Sequence, residues 1–413
     1  MTAVRKIKVL TLLDALYCGG DENRVLQLAR AIDRDRFDMR VATLNPPDPE
    51  VDGRHGTLRA EFAAEGIPVT VLGVKRTTRG LGLDDPRRHV RRAAMLAGTV
   101  QRIVAYIRRE RCDLVDGHAP SGYLCGTIAA RICGVPSVVT TYNVGEEWSP
   151  RIVYAAAHQA NLAAAGAIVT DSNEVANELR AWMLRKRGPR ILVIPNGPPP
   201  PLPVRADGEI RKELGLPPKG AARIVGQVAG LIPEKGQHVL IEAAPAVLAR
   251  HPDAFFLIVG FERTSHPGYS AELRAQARRL GVSERVAIAS YQGPIGDVWQ
   301  TIDIHTHPTM RDSLPNAILE GMSLAKPAVV AATAGIPTLV LDGKSGLVVQ
   351  PADAAAVAAG LNRLLDDPEL ARALGAAARR RYEQGYTDAL LARRMEALFS
   401  DLTAARLRTG SRT

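Results

Sequence analysis

Residues 303–332 read DIHTHPTMRDSLPNAILEGMSLAKPAVVAA, and this stretch contains one complete strand–helix–strand unit. Short apolar runs at Asp303–His307 and Pro327–Ala332 predict strands. Between them, Pro315 suits the first position of a helix, because its missing N–H costs nothing there and its fixed φ fits. Lys326 and Pro327 mark the end of that helix. Strand–helix–strand units of this kind build parallel sheets.

The start of this predicted helix combines open backbone amides with two nearby carboxylates. Ser313 and Asn316 can bond amides at the start, and helix N-termini attract anions. Asp312 and Glu320 bracket the same turn. Phosphates and many hydroxyls in one ligand suit this combination, as in a nucleotide sugar. An ordinary amphipathic helix with a good cap is the alternative.

Short apolar runs alternate with helical patterns along the rest of the chain as well. Predicted strands before residue 197 are Ile7–Leu13, Met39–Leu44, Val69–Gly73, Leu114–Ala119, Ser137–Tyr142, Ala167–Thr170 and Ile191–Pro195. Those after it are Arg223–Ala229, Ala254–Val259, Arg285–Ala289, Asp303–His307, Pro327–Ala332 and Gly346–Val349. Predicted helices include Asp21–Ile32, Leu96–Arg109, Gly122–Cys133, Asn173–Leu184, Gly236–Arg250, Ser270–Leu280, Pro315–Leu324 and Ala354–Leu365. The alternation predicts an α/β protein with two doubly wound, Rossmann-like parallel sheets.

The strongest boundary in the chain is Asn196-Gly197 followed by the proline-rich run PPPPLP at Pro198–Pro203. Proline at this density acts as a stiff, extended connector. The predicted division is an N-terminal Rossmann-like domain at 1–197, a linker at 198–210, a second Rossmann-like domain at 211–375, and C-terminal helices with a basic tail at 376–413. The C-terminal helices are expected to pack back toward the N-terminal domain. We expect the two domains to face each other across a ligand cleft.

Composition excludes several classes of protein. A chain of 413 residues is too long for one ordinary core. Only 4% of residues are aromatic, and no nucleic-acid motif is present, so no nucleic-acid partner is expected. Four cysteines without a Cys-x-x-Cys pair favour neither zinc nor disulfides and fit a reducing, cytoplasmic location. The N-terminal apolar run is interrupted by Lys8 and Asp14, which favours a strand over a signal peptide.

Much of the net charge of +10 comes from one segment. Between Lys75 and Arg111, eleven basic residues stand against three acidic ones, a net of +8. This segment predicts peripheral contact with an anionic membrane surface or with an anionic acceptor. A solvated helix face is the alternative.

Three further motifs lie where predicted strands end. Gly19 and Gly20 form a strand-to-helix turn that lets a backbone approach a ligand, but GxGxxG is absent, which disfavours nicotinamide and flavin cofactors. His118 ends the strand DLVDGH, and a structural histidine is the alternative reading. Lys235 lies in Pro-Glu-Lys-Gly at 233–236 and offers a positive charge to a diphosphate, although no Walker motif is present.

Two other readings of the quoted stretch are disfavoured. His305 and His307 form an HxH pair, but no further ligands cluster nearby, so no metal is expected. Asp312 and Glu320 are separated by mostly helical chain, which places them on the order of 10 Å apart at about 1.5 Å per residue. Retaining glycosidases need about 5–5.5 Å and inverting ones about 6.5–9.5 Å, so a hydrolase is unattractive.

Taken together, the motifs resemble the family-4 retaining glycosyltransferases of GT-B architecture. The resemblance covers nearly the whole chain in the family's order. Its most specific element is the acid-x7-acid motif from Asp312 to Glu320. The other matching segments are Gly19-Gly20, DLVDGH, Pro195-Asn196-Gly197, PEKG at 233–236, IVG at Ile258–Gly260 and AGIPTLVLDGKSGLVVQPAD at Ala334–Asp353.

The resemblance implies a role for each matching residue. Glu320 would hold the ribose hydroxyls of the donor, and Asp312 would contact hydroxyls of the transferred sugar. The donor's diphosphate would meet Lys235 together with backbone amides of the segment made of Ser313, Leu314, Pro315 and Asn316. Gly19 and Gly20 would allow closure on the donor, and His118 would lie beside the transferred sugar. The implied reaction retains anomeric configuration and requires no metal or other cofactor.

The resemblance therefore implies transfer of a hexose-type sugar from a UDP- or GDP-sugar to an unknown acceptor such as a glycolipid or polysaccharide precursor. Four positions depart from the family pattern: Asp312 replaces a longer Glu, Ser313 a Gly, Gly230 an Arg and Thr338 an acid. Either a neighbouring basic residue compensates for the missing Arg, or diphosphate binding is weak. A catalytically degenerate scaffold and a nucleotide-sugar epimerase or hydrolase are the alternative functions.

Overall fold

Short apolar segments form two parallel sheets in this computed structural model, which describes residues 5–17, 19–47, 57–72, 86–142, 152–183, 188–263 and 265–410. For residues 86–93, 152–157 and 407–410 only the helical backbone is described. The chain divides into two units. The first contains Met1–Pro195 and Asp388–Thr413, and the second contains Asn196–Thr387.

The first unit is built on parallel strands in the order β3-β2-β1-β4-β5-β6-β7. The strands are β1 Ile7–Leu13, β2 Phe37–Thr43, β3 Val69–Val71, β4 Leu114–His118, β5 Ser137–Thr140, β6 Ala167–Thr170 and β7 Arg190–Val193. Its described helices are Gly20–Ala31, Arg59–Ala64, Pro86–Glu110, Ala119–Ile132, Ile152–Ala164, Asn173–Trp182 and Asp388–Gly410. The strand order changes direction between β1 and β4, the point at which doubly wound sheets bind ligands.

The second unit repeats this plan with the order β10-β9-β8-β11-β12-β13. The strands are β8 Arg223–Val228, β9 Ala254–Val259, β10 Val286–Ala289, β11 Ile304–His307, β12 Ala328–Ala331 and β13 Leu347–Val349. Its α-helices are Asp207–Glu213, Gln237–Leu248, Tyr269–Arg279, Ile295–Trp299, Asn316–Ser323, Ile336–Leu339, Ala354–Asp366 and Pro368–Gly385, and its 3-10 helices are Pro233–Lys235 and Ser283–Arg285. Here the strand order changes direction between β8 and β11.

Helices cover both faces of each sheet, which explains why the strands are apolar throughout. In β1, Val9 packs into one cluster with the helix Gly20–Ala31, whereas the next residue, Leu10, packs into another with the helix Pro86–Glu110. Both side chains are fully buried. Successive residues of a strand point to opposite faces, so a strand covered on both sides has no polar alternation.

The last helix, Asp388–Gly410, belongs to the first unit. Leu391, Met395 and Phe399 on this helix are buried in the cluster that contains Val9, and the rings of Phe399 and Phe37 lie 6.3 Å apart. The preceding helix, Pro368–Gly385, remains in the second unit.

The α/β, doubly wound fold predicted from the sequence is confirmed, and most element bounds differ from the predicted ones by few residues. The helix Pro86–Glu110 begins earlier than the predicted Leu96–Arg109. Part of the predicted basic segment, residues 75–85, lies outside the described residues, as does Cys18. Among the helices that the structure describes, none has the length and apolar character needed to cross a bilayer.

Candidate donor-binding and active site

Two loops at the carboxyl ends of adjacent strands form the core of the candidate site in the second unit. One follows β8 and contains Lys235, and the other follows β11 and contains Asp312. The Met310 N–H donates a 2.8 Å hydrogen bond to the carbonyl of Glu234, and the Thr309 hydroxyl donates to the same carbonyl at 2.9 Å. These bonds fasten the two loops together.

Gly236 permits this close approach of the two loops. Its φ of 72° lies in the left-handed region, and a Cβ at this position would lie only 1.9 Å from the carbonyl oxygen of Pro308. No side chain fits that space, and glycine alone adopts the left-handed conformation without a steric cost. The glycine of the PEKG segment therefore serves packing at the site.

The two loops bring Lys235 and His307 onto one carboxylate. Lys235 Nζ lies 2.5 Å from Asp312 Oδ2, and His307 Nε2 lies 3.1 Å from the same oxygen. Burial raises the pKa of Asp312, but the attraction of Lys235 and the hydrogen bond from His307 outweigh burial and lower the pKa to about 2. Asp312 is therefore ionised at neutral pH.

Glu320 lies in a different environment, against aromatic groups. The indole Nε1–H of Trp299 donates a 2.8 Å hydrogen bond to Glu320 Oε2. Burial raises the pKa of the Glu320 carboxyl, and the bond from Trp299 opposes this rise. The Trp299 ring meets that of His305 edge-on at 5.0 Å, and the rings of His305 and His307 lie 5.9 Å apart. A continuous set of side chains thus connects the two acids of the motif.

His305 and His307 share a strand face but differ in their hydrogen-bond partners. Burial and the neighbouring His307 lower the pKa of His305 well below its usual range, so His305 is neutral. Neither ring nitrogen of His305 has a hydrogen-bond partner among the described residues. Within the described part of the chain, no group of three or more His, Cys, Asp and Glu side chains is placed to hold a metal ion.

The start of the helix Asn316–Ser323 differs from its prediction. Pro315 is the residue before the first helical position, with φ −67° and ψ 128°, and its own side chain makes no capping hydrogen bond. Bonding of the amides around this start by Ser313 and Asn316 stays a prediction. The Asn316 side chain accepts a 3.1 Å hydrogen bond from Asn196 Nδ2. Leu314 is buried.

The glycine pair in the first unit lies at the start of the helix Gly20–Ala31, after β1. Gly19 is the capping residue of this helix, and a Cβ on it would lie 2.3 Å from Glu22 Oε2. A Cβ on Gly20 would meet nothing within 4 Å. The Asn23 side chain donates to the Gly19 carbonyl at 2.7 Å. The contact at Gly19 involves only the end of the flexible Glu22 side chain, which can move, so the surrounding structure does not require glycine at either position.

His118 ends β4, as predicted, and its imidazole is only 1% exposed. Nε2 lies 3.0 Å from the Asp116 carboxylate, and Nδ1 lies 3.1 Å from the Tyr142 hydroxyl. A carboxylate only accepts hydrogen bonds, so Nε2 carries the proton and Nδ1 accepts from Tyr142. Thr140 donates to the other Asp116 oxygen at 3.0 Å.

Several neighbours of these residues were not predicted from the sequence. Asp116 lies two residues before His118, and this spacing on a strand places both side chains on one face, so the signal was readable. Tyr142, Trp299 and Asn196 reach the predicted residues only through the fold. The described structure thus gathers Lys235, Asp312 and Glu320 in the second unit, whereas Gly19, Gly20 and His118 lie at strand ends of the first.

Two family models and several curated relatives match the chain. The model of the glycosyl transferases group 1 family matches residues 208–381, and that of the glycosyl transferase 4-like domain matches 19–197. The D-inositol 3-phosphate glycosyltransferase of Acidothermus cellulolyticus is 29% identical over 319 residues, which cover 73% of this chain and 70% of the relative. The Corynebacterium efficiens enzyme of the same name is 31% identical over 204 residues, 49% of this chain and 47% of the relative.

A solved structure shows the same fold. HepE of Anabaena, determined in complex with UDP and glucose, aligns with a TM-score of 0.77 at 22% identity, covering 96% of this chain and 100% of HepE. The two family matches fall mainly one in each unit, and each match contains its unit's candidate residues. The chain is a member of the GT4-type glycosyltransferases, with the GT-B fold of that family.

Proposed function

We propose that this glycosyltransferase moves a hexose-type sugar from a nucleotide-diphosphate sugar to an acceptor, with retention of the anomeric configuration. The observation that carries the proposal is the cluster of Lys235, His307 and Asp312, joined through aromatic groups to Glu320. It places a cation and two carboxylates in different environments at the strand ends where such sheets bind ligands.

Each group has a chemical task in this proposal. Lys235 and the backbone amides at the start of the helix Asn316–Ser323 stabilise charge on the departing diphosphate, and the proposal needs no metal ion. Asp312, ionised, accepts hydrogen bonds from hydroxyls of the transferred sugar. Glu320, held by Trp299, accepts from the ribose hydroxyls. As the bond from C1 to phosphate breaks, the acceptor oxygen bonds C1, and the acceptor's proton leaves with the nucleoside diphosphate.

The relatives support one donor base and one class of acceptor in this proposal. HepE was solved with UDP and glucose, which favours a UDP-sugar over a GDP-sugar here. The named relatives act on D-inositol 3-phosphate, an anionic acceptor. The excess of basic residues between Lys75 and Arg111 suits an acceptor with negative charge or an anionic membrane that carries a glycolipid acceptor.

A donor panel tests the proposal. The full-length chain is incubated with UDP-, GDP-, dTDP- and ADP-sugars, and donor turnover and nucleoside-diphosphate binding are measured. We expect turnover with one base and its loss in the Glu320→Ala variant. No binding and no turnover with any of the donors would overturn the proposal. Turnover that stays the same whether or not an acceptor is present would instead indicate a hydrolase or epimerase.

The basic segment requires a separate test. Charge reversal at Arg87, Arg88, Arg91 and Arg92 is expected to weaken either sedimentation with anionic liposomes or use of an anionic acceptor. If both stay unchanged, the segment is a solvated helix face.

A further inference from the structure

Gly230 leaves a space that another residue fills. The family pattern has an arginine at this position, five residues before Lys235. In the structure, a Cβ on Gly230 would lie 3.1 Å from Arg263 Nε and within 4 Å of the guanidinium carbon. The Arg263 side chain therefore lies directly against the backbone of Gly230. An arginine at position 230 would have to displace it.

The backbone holds Arg263 beside the loop that carries Lys235. Leu231 donates a 2.9 Å hydrogen bond to the carbonyl of Phe261, and Leu231 forms a parallel bridge with Glu262. The segment after β9 thus runs alongside the segment after β8. The Leu231 segment leads directly into the 3-10 helix Pro233–Lys235. Both cations lie on loops at the carboxyl ends of neighbouring strands.

The described residues around Arg263 do not neutralise its charge. The adjacent Glu262 accepts backbone hydrogen bonds from Ser270 at 2.8 Å and Gly268 at 3.3 Å, which turn its carboxylate toward another loop. No carboxylate pairs with Arg263 among the residues that the structure describes. Lys235, in contrast, already pairs with Asp312. Arg263 therefore has no counter-ion among the described residues and can bind an anion.

We propose that Arg263 binds the diphosphate of the donor and replaces the arginine that Gly230 lacks. This inference rests on the proposed function and adds a second phosphate-binding residue to it. A guanidinium forms paired hydrogen bonds with phosphate oxygens, which a single ammonium cannot do. The absence of a side chain at Gly230 provides the room in which Arg263 lies. Gly230 and Arg263 together would supply the guanidinium that the family pattern places at position 230.

Binding measurements on the full-length chain test this inference. The titrants are UDP and GDP, together with inorganic pyrophosphate as a probe without base or ribose. Arg263→Ala is expected to lower the affinity for the tighter-binding of the two nucleotides by about 10- to 100-fold. The affinity for pyrophosphate should fall by a similar factor. Arg279→Ala, an exposed arginine on the neighbouring helix Tyr269–Arg279, is the matched control and should bind like the wild type.

A relocation variant makes the test specific. Gly230→Arg combined with Arg263→Ala moves the guanidinium to the family position and should recover most of the lost affinity. Equal affinity of Arg263→Ala and the wild type for both nucleotide and pyrophosphate would overturn the inference. Thermal unfolding of each variant checks that a loss of binding is not a loss of folding.

Failure of the inference can be distinguished from failure of the proposed function. If the wild type binds neither UDP nor GDP nor any other nucleoside diphosphate of the donor panel, both are wrong. If the wild type instead binds one of these nucleoside diphosphates, with an affinity that Glu320→Ala lowers and Arg263→Ala leaves unchanged, only the role of Arg263 is wrong. Glu320→Ala should leave pyrophosphate binding unchanged, because Glu320 is assigned to the ribose.

Discussion

Lys235 and Asp312, 77 positions apart in the chain, form a direct ion pair with Nζ 2.5 Å from Oδ2. The pair has no net charge, so a diphosphate that binds Lys235 competes with Asp312 for it. His307 also contacts Asp312 and can hold the carboxylate while Lys235 turns toward phosphate. Under the proposed function, the pair would link recognition of the sugar to recognition of the diphosphate.

Replacing Lys235 tests the cation in this pair. Lys235→Ala is expected to lower kcat/KM by about 100- to 1000-fold, because charge on the leaving diphosphate loses its stabilisation. Steady-state kinetics with the preferred donor measure the loss. Lys219→Ala, at an exposed lysine of the same unit, is the control and should retain full activity. A loss of less than about threefold would contradict the assigned role.

The lowered pKa of Asp312 predicts how stability changes in acid. Its folded-state pKa of about 2 lies below the ordinary value of 3.8, so its ionisation stabilises the fold above about pH 4. That contribution is lost as the pH falls from about 4 toward 2. Urea unfolding of the wild type and Asp312→Asn across this range should show their difference in free energy shrinking as the pH falls. A difference that does not change with pH would contradict the prediction.

The buried carboxyl of Glu320 is expected to lower the stability of the fold at pH 7 while it supports donor binding. Burial raises its folded-state pKa, so the unfolded chain ionises first and stability falls as the pH rises through 4.5. Glu320→Gln should therefore raise the Tm at pH 7, by about 2–4 °C for each kcal/mol gained, while it weakens donor binding. Below pH 4 the difference in Tm should vanish. A lower Tm at pH 7 would show that the charged carboxylate stabilises the fold.

Two glycines with positive φ allow the cost of backbone strain to be distinguished from the cost of steric overlap. Gly236→Ala should lower the free energy of unfolding by more than about 2 kcal/mol, because its Cβ would overlap the Pro308 carbonyl. Gly220 has a similar φ of 83° but open space around its Cβ, so Gly220→Ala should cost only about 1 kcal/mol. Chemical denaturation measures both costs, and equal costs would argue against the close approach of the two loops.

The buried network around His118 predicts a stability effect in the first unit. Asp116→Ala leaves the Thr140 hydroxyl and His118 Nε2 without their acceptor in a buried position, which should cost about 1–3 kcal/mol. Asp401→Ala, at an exposed ion pair with Arg190, should cost less than about 1 kcal/mol. Urea unfolding compares the two variants. A small cost of Asp116→Ala would mean that water or another acceptor satisfies His118 Nε2 and the Thr140 hydroxyl.

Strand positions were readable from the sequence because each strand is covered on both faces. The runs around Val9 and Phe256 are nearly all apolar, and the helices between them follow a different period, so the order of elements determines a doubly wound sheet. The acid-x7-acid spacing, the PEKG turn and the strand-end position of His118 were equally local signals. They identified the family and most of the candidate residues without any knowledge of distance.

Contacts between residues far apart in the chain were decided by folding, because sequence spacing carries no information about them. Loop packing at Gly236 joins Lys235 to Asp312, and the parallel course of two loops brings Arg263 against Gly230. From the sequence, Gly230 reads as a missing arginine. In the folded chain it is the space that an arginine from the next strand occupies, since neighbouring parallel strands end at the same edge of a sheet.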